Sequence, residues 1–207
     1  MITLYSGTPG SGKSLRAVMR AYDRVHYAKL PVIANFRLAF PKYEDANRFH
    51  YWDNEDISPK ALIEFSKEYF EHHRYGENKI LLILDECQLV FNSRTSIGNR
   101  DESKKRMGWI EFFSQHRKYG YEVIMIAQFD RMIDRQIRSL IEYEDKFRKV
   151  SNFGWKGFLL SLVMGGTGTF VQVHMFYSLR EKLSSSVFHA RKKYFSLYDT
   201  RAAFEQA

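Results

Sequence analysis

Apolar positions along this chain come in two rhythms. Short continuous apolar runs at 2–5, 31–34, 80–84 and 123–127 suit strands buried on both faces of a parallel sheet. Between them the apolar positions recur at helical spacing. Leu15, Val18, Met19 and Tyr22 predict a helix over 13–24, and Leu62, Phe65 and Tyr69 predict one after Ser58-Pro59. Ser58 as N-cap and Pro59 at the first helical position give that helix a clean start, and Gly76 suits its stop. A further helix is expected over 103–119, ending at Gly120. Asp130 is expected to cap another that carries Ile133, Ile137, Leu140 and Ile141. Residues 43–56 read as polar, aromatic and irregular, and 92–105 as a charged loop. Strand and helix alternate to about residue 142, which predicts an α/β fold with a mainly parallel central sheet flanked by helices.

Beyond residue 142 the rhythm changes. Residues 143–150, a hairpin over 158–177 and 192–197 read as antiparallel additions. Residues 157–179 contain no Asp, Glu, Lys or Arg and are long enough to cross a bilayer. Gly165, Gly166 and Gly168 interrupt the stretch, however, and Gln172 and His174 would share one face of a strand after them. Strand 158–164, turn 165–168 and strand 169–177 is the reading these residues favour. The expected organisation is one domain over 1–207, with a core at 1–142 and an antiparallel extension at 143–207.

Composition narrows the class. A chain of 207 residues with 44% hydrophobic and 27% charged residues suits a soluble globular domain. The single Cys87 makes no disulfide framework, and no Cys/His cluster has zinc spacing. The N-terminus has neither the basic leader nor the apolar stretch of a signal peptide. The net charge of +8 is uneven: 13 Lys/Arg face 12 Asp/Glu in residues 1–99, and 19 face 12 in residues 100–207. A basic second half suits nucleic acid or an anionic membrane surface. Lys104, Lys105 and Arg106, and Arg191, Lys192 and Lys193, are the clusters expected to meet it.

The chemistry starts at Gly7-Thr8-Pro9-Gly10-Ser11-Gly12-Lys13-Ser14, which fills the pattern G-x-x-x-x-G-K-[ST] between a strand and a helix. Glycines let successive backbone N–H groups converge on phosphates, and the helix start adds its own. Lys13 is expected to reach the β- and γ-phosphates of ATP, and Ser14 to offer its hydroxyl to Mg²⁺. The buried run at 80–84 exits into Asp85-Glu86. Asp85 is expected to hold Mg²⁺, and Glu86 to act as general base on the attacking water. Gln128, at the exit of the 123–127 run, is placed to sense the γ-phosphate. Arg94 and Arg117 are both candidates for a cation donated to a neighbour's phosphates. Cys87 reads as packing.

These residues resemble the N-terminal ATPase domain of the zonular occludens toxin (Zot) family, the assembly ATPases of filamentous phages. The likeness runs from residue 2 to about 200. It is carried by Val32-Ile33-Ala34-Asn35, with Ala34 where the family has Thr, by Ile83-Leu84-Asp85-Glu86-Cys87 with Arg94 downstream, and by His116-Arg117-Lys118-Tyr119-Gly120 with the strand to Gln128. Ile137-Arg138 and the ending Phe195-Ser196-Leu197-Tyr198-Asp199-Thr200 complete it. The resemblance implies a Mg²⁺-dependent ATPase related to the FtsK–HerA DNA pumps, working as a homo-oligomeric ring, hexamers included. Its implied partners are phage DNA, taken as single-stranded, and an inner-membrane assembly complex. Its implied place is the host cytoplasm, at the inner face of the membrane. Family members usually continue into a transmembrane helix. With the sequence ending at Ala207, a cytoplasmic-domain form or a separate anchor subunit is expected. Competing readings are a genome-packaging ATPase of a non-filamentous virus, a small-molecule kinase, and a nucleotide-dependent switch with little turnover. No arginine-rich lid supports the kinase, and Glu86 argues against the switch.

Overall fold

The computed structural model describes residues 1–91, 100–152 and 168–197. One eight-stranded sheet organises them, in the order β3-β2-β4-β5-β1-β6-β7-β8. Its strands are β1 Ile2–Ser6, β2 Val32–Ala34, β3 Phe49–Tyr51, β4 Ile80–Leu84, β5 Tyr121–Ile126, β6 Tyr143–Lys149, β7 Thr169–Phe176 and β8 Glu181–His189. The first six are parallel; β7 and β8 run antiparallel to their neighbours. The helices are α1 Lys13–Tyr22, α2 Tyr43–Ala46, α3 Pro59–His72, α4 Arg100–Gln115, α5 Arg135–Arg138 and α6 Lys192–Phe195.

The continuous apolar runs are buried on both faces, as their composition requires. In β4, Ile80, Leu82 and Leu84 enter one core, and Leu81 and Ile83 enter the other. The first core lies under α3, α4 and α5 and is dense in aromatics: Trp109 stacks on Phe113, with Phe91 edge-on to both. The second lies under α1, where Ala17, Val18 and Ala21 pack on Tyr5, Ile83 and Ile126. Two arginines, one in α1 and one in the helical turn Asp23–Tyr27 that follows it, tie this segment to the sheet. Arg20 and Arg24 both donate to Glu122, a buried carboxylate on β5.

Several expectations need correction. Residues 43–56 are not irregular: they contain α2 and the edge strand β3, whose three residues are too few to show a period. The helix expected from Asp130 is broken. Asp130–Met132 form a 3₁₀ turn, and Asp134 caps the one-turn α5, accepting from the N–H groups of Gln136 and Ile137. Strand β6 is parallel to β1 and antiparallel only to β7, so the extension is continuous with the parallel core. Both edges of β7 are occupied, by β6 and β8, so residues 169–176 cannot form the expected hairpin with 158–164, which lie outside the described residues. The hairpin is β7–β8. Residues Lys192–Phe195 form α6 rather than a strand. Among the described residues, no helix is long and apolar enough to cross a membrane.

Candidate functional site

Strand β1 lies between β5 and β6, and the glycine loop leaves its carboxyl end, the edge at which parallel sheets bind ligands. The loop is pressed against the C-terminal strands. Gly7 has φ +145, and a Cβ there would stand 2.5 Å from the Phe147 carbonyl oxygen. Gly12 has φ +95, and its Cβ would lie 2.7 Å from the Phe170 ring. A side chain at either position strains the backbone and collides with β6 or β7.

The loop is shaped for an anion. Gly12 leads into α1 with no side chain capping the helix, so the first-turn amides are open. Ser11 is 1% exposed, and its hydroxyl has no partner among the described residues. Lys13 donates to the carbonyls of Gly7 (2.7 Å) and Thr8 (3.2 Å), so its ammonium hangs over the loop. Burial lowers its pKa, opposed by Glu86 and Asp85. An unsatisfied buried hydroxyl, open helix-start amides and a cation fit a polyphosphate.

The acids arrive from β4. Ser14 donates to the Asp85 carboxylate at 3.0 Å, which brings both expected magnesium ligands together. Burial raises the Asp85 pKa, against the bond from Ser14. A hydroxyl and a buried carboxylate are oxygen donors suited to Mg²⁺, which when bound would neutralise charge on the phosphates. Glu86 adopts φ +47, the left-handed region that costs a residue with a Cβ. Its N–H donates to Asp85 at 2.9 Å, and its carboxylate accepts from the Gln88 amide. Cys87 is buried, and burial pushes its thiol pKa up, as packing rather than chemistry requires.

Sequence reasoning gave no role to Asn35. Its side-chain oxygen accepts from the Asp85 N–H (2.7 Å), and its amide donates to the Asp85 carbonyl (2.8 Å) and to Asn54 (2.8 Å). One side chain from the exit of β2 thus clamps the peptide carrying both acids. The sequence signals were a polar residue ending an apolar strand, as at Gln128, and its place in the Val32–Asn35 segment that resembles the family, and neither names its partner.

Gln128 adjoins the loop through its main chain. Its carbonyl accepts from the Gly7 N–H at 3.4 Å, joining the exit of β5 to the loop. Arg117 is not brought to the loop. It pairs with Glu142 at the opposite, amino-terminal edge of the sheet, beside Met1 and His116. Arg94 lies outside the described residues. Arg106 faces Asp134 at 3.7 Å, and Lys193 lies over the rings of Tyr22 and Tyr194.

A parallel sheet in which an interior strand turns through this loop into a helix, with an acidic strand exit two strands away, defines the P-loop NTPase fold. Within it the chain belongs to the zonular occludens toxin (Zot) family, whose model matches residues 1–203. It is 28% identical to the gene 1 protein of Enterobacteria phage fd over 96% of this chain and 59% of that protein. It is 29% identical to the gene 1 protein of Salmonella phage IKe over 84% of this chain and 47% of that one. The chain therefore spans about half to three fifths of these relatives. Its fold is similar to the N-terminal domain of zonular occludens toxin from Neisseria meningitidis (TM-score 0.57, 20% identity, 96% of this chain and 98% of that). It is also similar to the genome packaging NTPase B204 of Sulfolobus turreted icosahedral virus 2, solved with ATP-gammaS (TM-score 0.54, 13% identity, 91% and 96%).

Proposed function

We propose that this chain is a Mg²⁺-dependent ATPase that works in a homo-oligomeric ring to drive phage DNA across the host inner membrane during filamentous phage assembly. It would act from the cytoplasmic face. The observation that carries the ATPase reading is the convergence of Lys13, Ser14, Asp85 and Glu86 on one loop, with Ser14 bonded to Asp85. Membership in the Zot family and likeness to the gene 1 proteins support the phage role.

In this reading residues 7–14 bind ATP through backbone N–H groups, the Ser11 hydroxyl fills its missing bond on a phosphate, and Lys13 exchanges two carbonyls for phosphate oxygens. Ser14 and Asp85 hold the metal. Glu86 takes a proton from the attacking water, and the bond to the leaving diphosphate breaks as the water oxygen joins the γ-phosphorus. Gln128 reports the γ-phosphate to the segment after it. The cation supplied in trans is Arg94 or Arg117; Arg117 rests on Glu142 at the amino-terminal edge of the sheet, its side chain 54% exposed.

The test is hydrolysis by wild type, Lys13→Ala and Glu86→Gln across protein concentration. Glu86→Gln should keep ATP binding and lose about 10²–10⁴-fold in turnover, the usual contribution of a general base. Wild-type activity per subunit should rise with concentration. Turnover equal in wild type and Glu86→Gln would leave a nucleotide switch instead. The fold it shares with B204 supports genome packaging as a second reading, and stimulation by duplex rather than single-stranded DNA would favour it.

A further inference from the structure

A second site adjoins the loop, on the side away from α1. Ser6 pairs with Lys146 and Leu4 with Glu144, so these side chains share the face that carries Leu4, opposite the Tyr5 face under α1. Where β1 and β6 end on this face, they and the segment after β5 enclose a cleft of about 680 Å³. Gly7, Thr8 and Gln128 form the wall it shares with the phosphate loop. That volume suits a nucleotide-sized ligand.

Its lining contains five basic side chains, Arg131, Lys146, Arg148, Lys149 and Arg180, against two carboxylates. Both carboxylates are already engaged. Arg180 bonds to Asp130 (2.7 Å) and to Glu144, and Ser6 donates to Glu144 at 2.6 Å. Lys146 reaches Glu144 only at 3.7 Å, and Arg131 and Lys149 make no ion pair among the described residues. The cleft therefore keeps a net positive charge. Phe129, in the same lining, is 59% exposed, so the face of its ring is open to a ligand.

We propose that this cleft binds single-stranded nucleic acid, with Arg131 and Lys149 on backbone phosphates and Phe129 stacked on a base. Cations beside an exposed ring form the combination that holds unpaired strands. A duplex offers phosphates but no free base face. The proposal deepens the motor reading and rests on it for its consequence. Phe129 follows Gln128, whose carbonyl holds the Gly7 N–H. A base stacked on Phe129 therefore acts one residue away from the phosphate loop, which makes the cleft a route by which DNA stimulates turnover.

The experiment uses the full chain and a fluorescein-labelled oligodeoxythymidylate, with anisotropy read across salt concentration. Phe129→Ala should weaken binding about tenfold or more, the usual loss on removing one stacking ring. Arg131→Glu combined with Lys149→Glu should weaken it further and flatten the salt dependence by about 1.4 in log–log slope, two single-strand phosphate contacts. Phe129→Ala should also keep basal hydrolysis and lose its stimulation by the oligonucleotide. A fluorescent ATP analogue should bind all variants alike. Unchanged oligonucleotide binding in both variants, or none by wild type at low salt, overturns the proposal. So does loss of the ATP analogue in Phe129→Ala, because the cleft would then hold the base of ATP. Oligonucleotide binding through these residues without ATP turnover would sink the motor reading and leave the site standing.

Discussion

At the scale of single residues, the site depends on groups that tolerate no replacement, each for a different reason. Asn35 touches no phosphate, yet it fixes the Asp85 peptide from both sides. Asn35→Ala is expected to lower turnover by about tenfold or more while ATP affinity stays near wild type, because only the placement of the acids is lost. Steady-state kinetics beside equilibrium titration separate the two. Gly12→Ala meets the Phe170 ring and must hold φ +95. It should lower the melting temperature, at a cost of about 1–3 kcal/mol, and weaken nucleotide binding. The loop and both acids were legible because their chemistry is written in consecutive residues. The Asn35 clamp was not, since the sequence separates its partners by 50 positions. The pairing of Arg117 with Glu142 was not legible either, because 25 positions separate them.

At the scale of elements, polar anchors decide where helices sit. Glu122 is buried on β5 between Arg20 and Arg24. Glu122→Ala leaves the largely buried Arg24 without its counter-charge and is expected to cost about 3 kcal/mol in chemical denaturation. Asp45 ties α2 to the turn after α1. The hydrogen bond from His26 holds its carboxyl below the usual range, with help from Lys29. A lowered folded-state pKa contributes stability above the ordinary aspartate value of about 3.9, and that stability is lost as pH falls through the lowered value. Thermal melts of Asp45→Asn should therefore fall below wild type at pH 7, and the gap should close as pH falls below the ordinary aspartate range and through the lowered value. Long apolar strands and Ser58-capped α3 were readable before any coordinates, because burial on both faces and a cap leave plain marks. Strand β8 was not. Its Lys182 to Val187 stretch is exposed and rich in serine, so pairing with β7 specifies it, and only Phe188 is buried.

At the scale of the whole molecule, two ends of one sheet carry different work. The carboxyl edge holds the loop, the acids and the basic cleft. The amino edge is closed by Met1, His116, Arg117 and Glu142. Arg117→Ala is expected to lower the melting temperature by leaving Glu142 without this partner; turnover per folded subunit near wild type makes Arg94 the trans cation, and lost turnover assigns that role to Arg117. The contact of Gly7 with β6 and of Gly12 with Phe170 has a further consequence, for the order in which the protein is made. The loop leaves the ribosome before the strands it packs against. The surface that moulds it is synthesised some 140 to 160 residues later, and Phe170 is itself packed by Phe188. A nascent chain therefore carries the complete nucleotide signature long before it has a nucleotide site, and competence to capture ATP arrives only once β6 and β7 have been made.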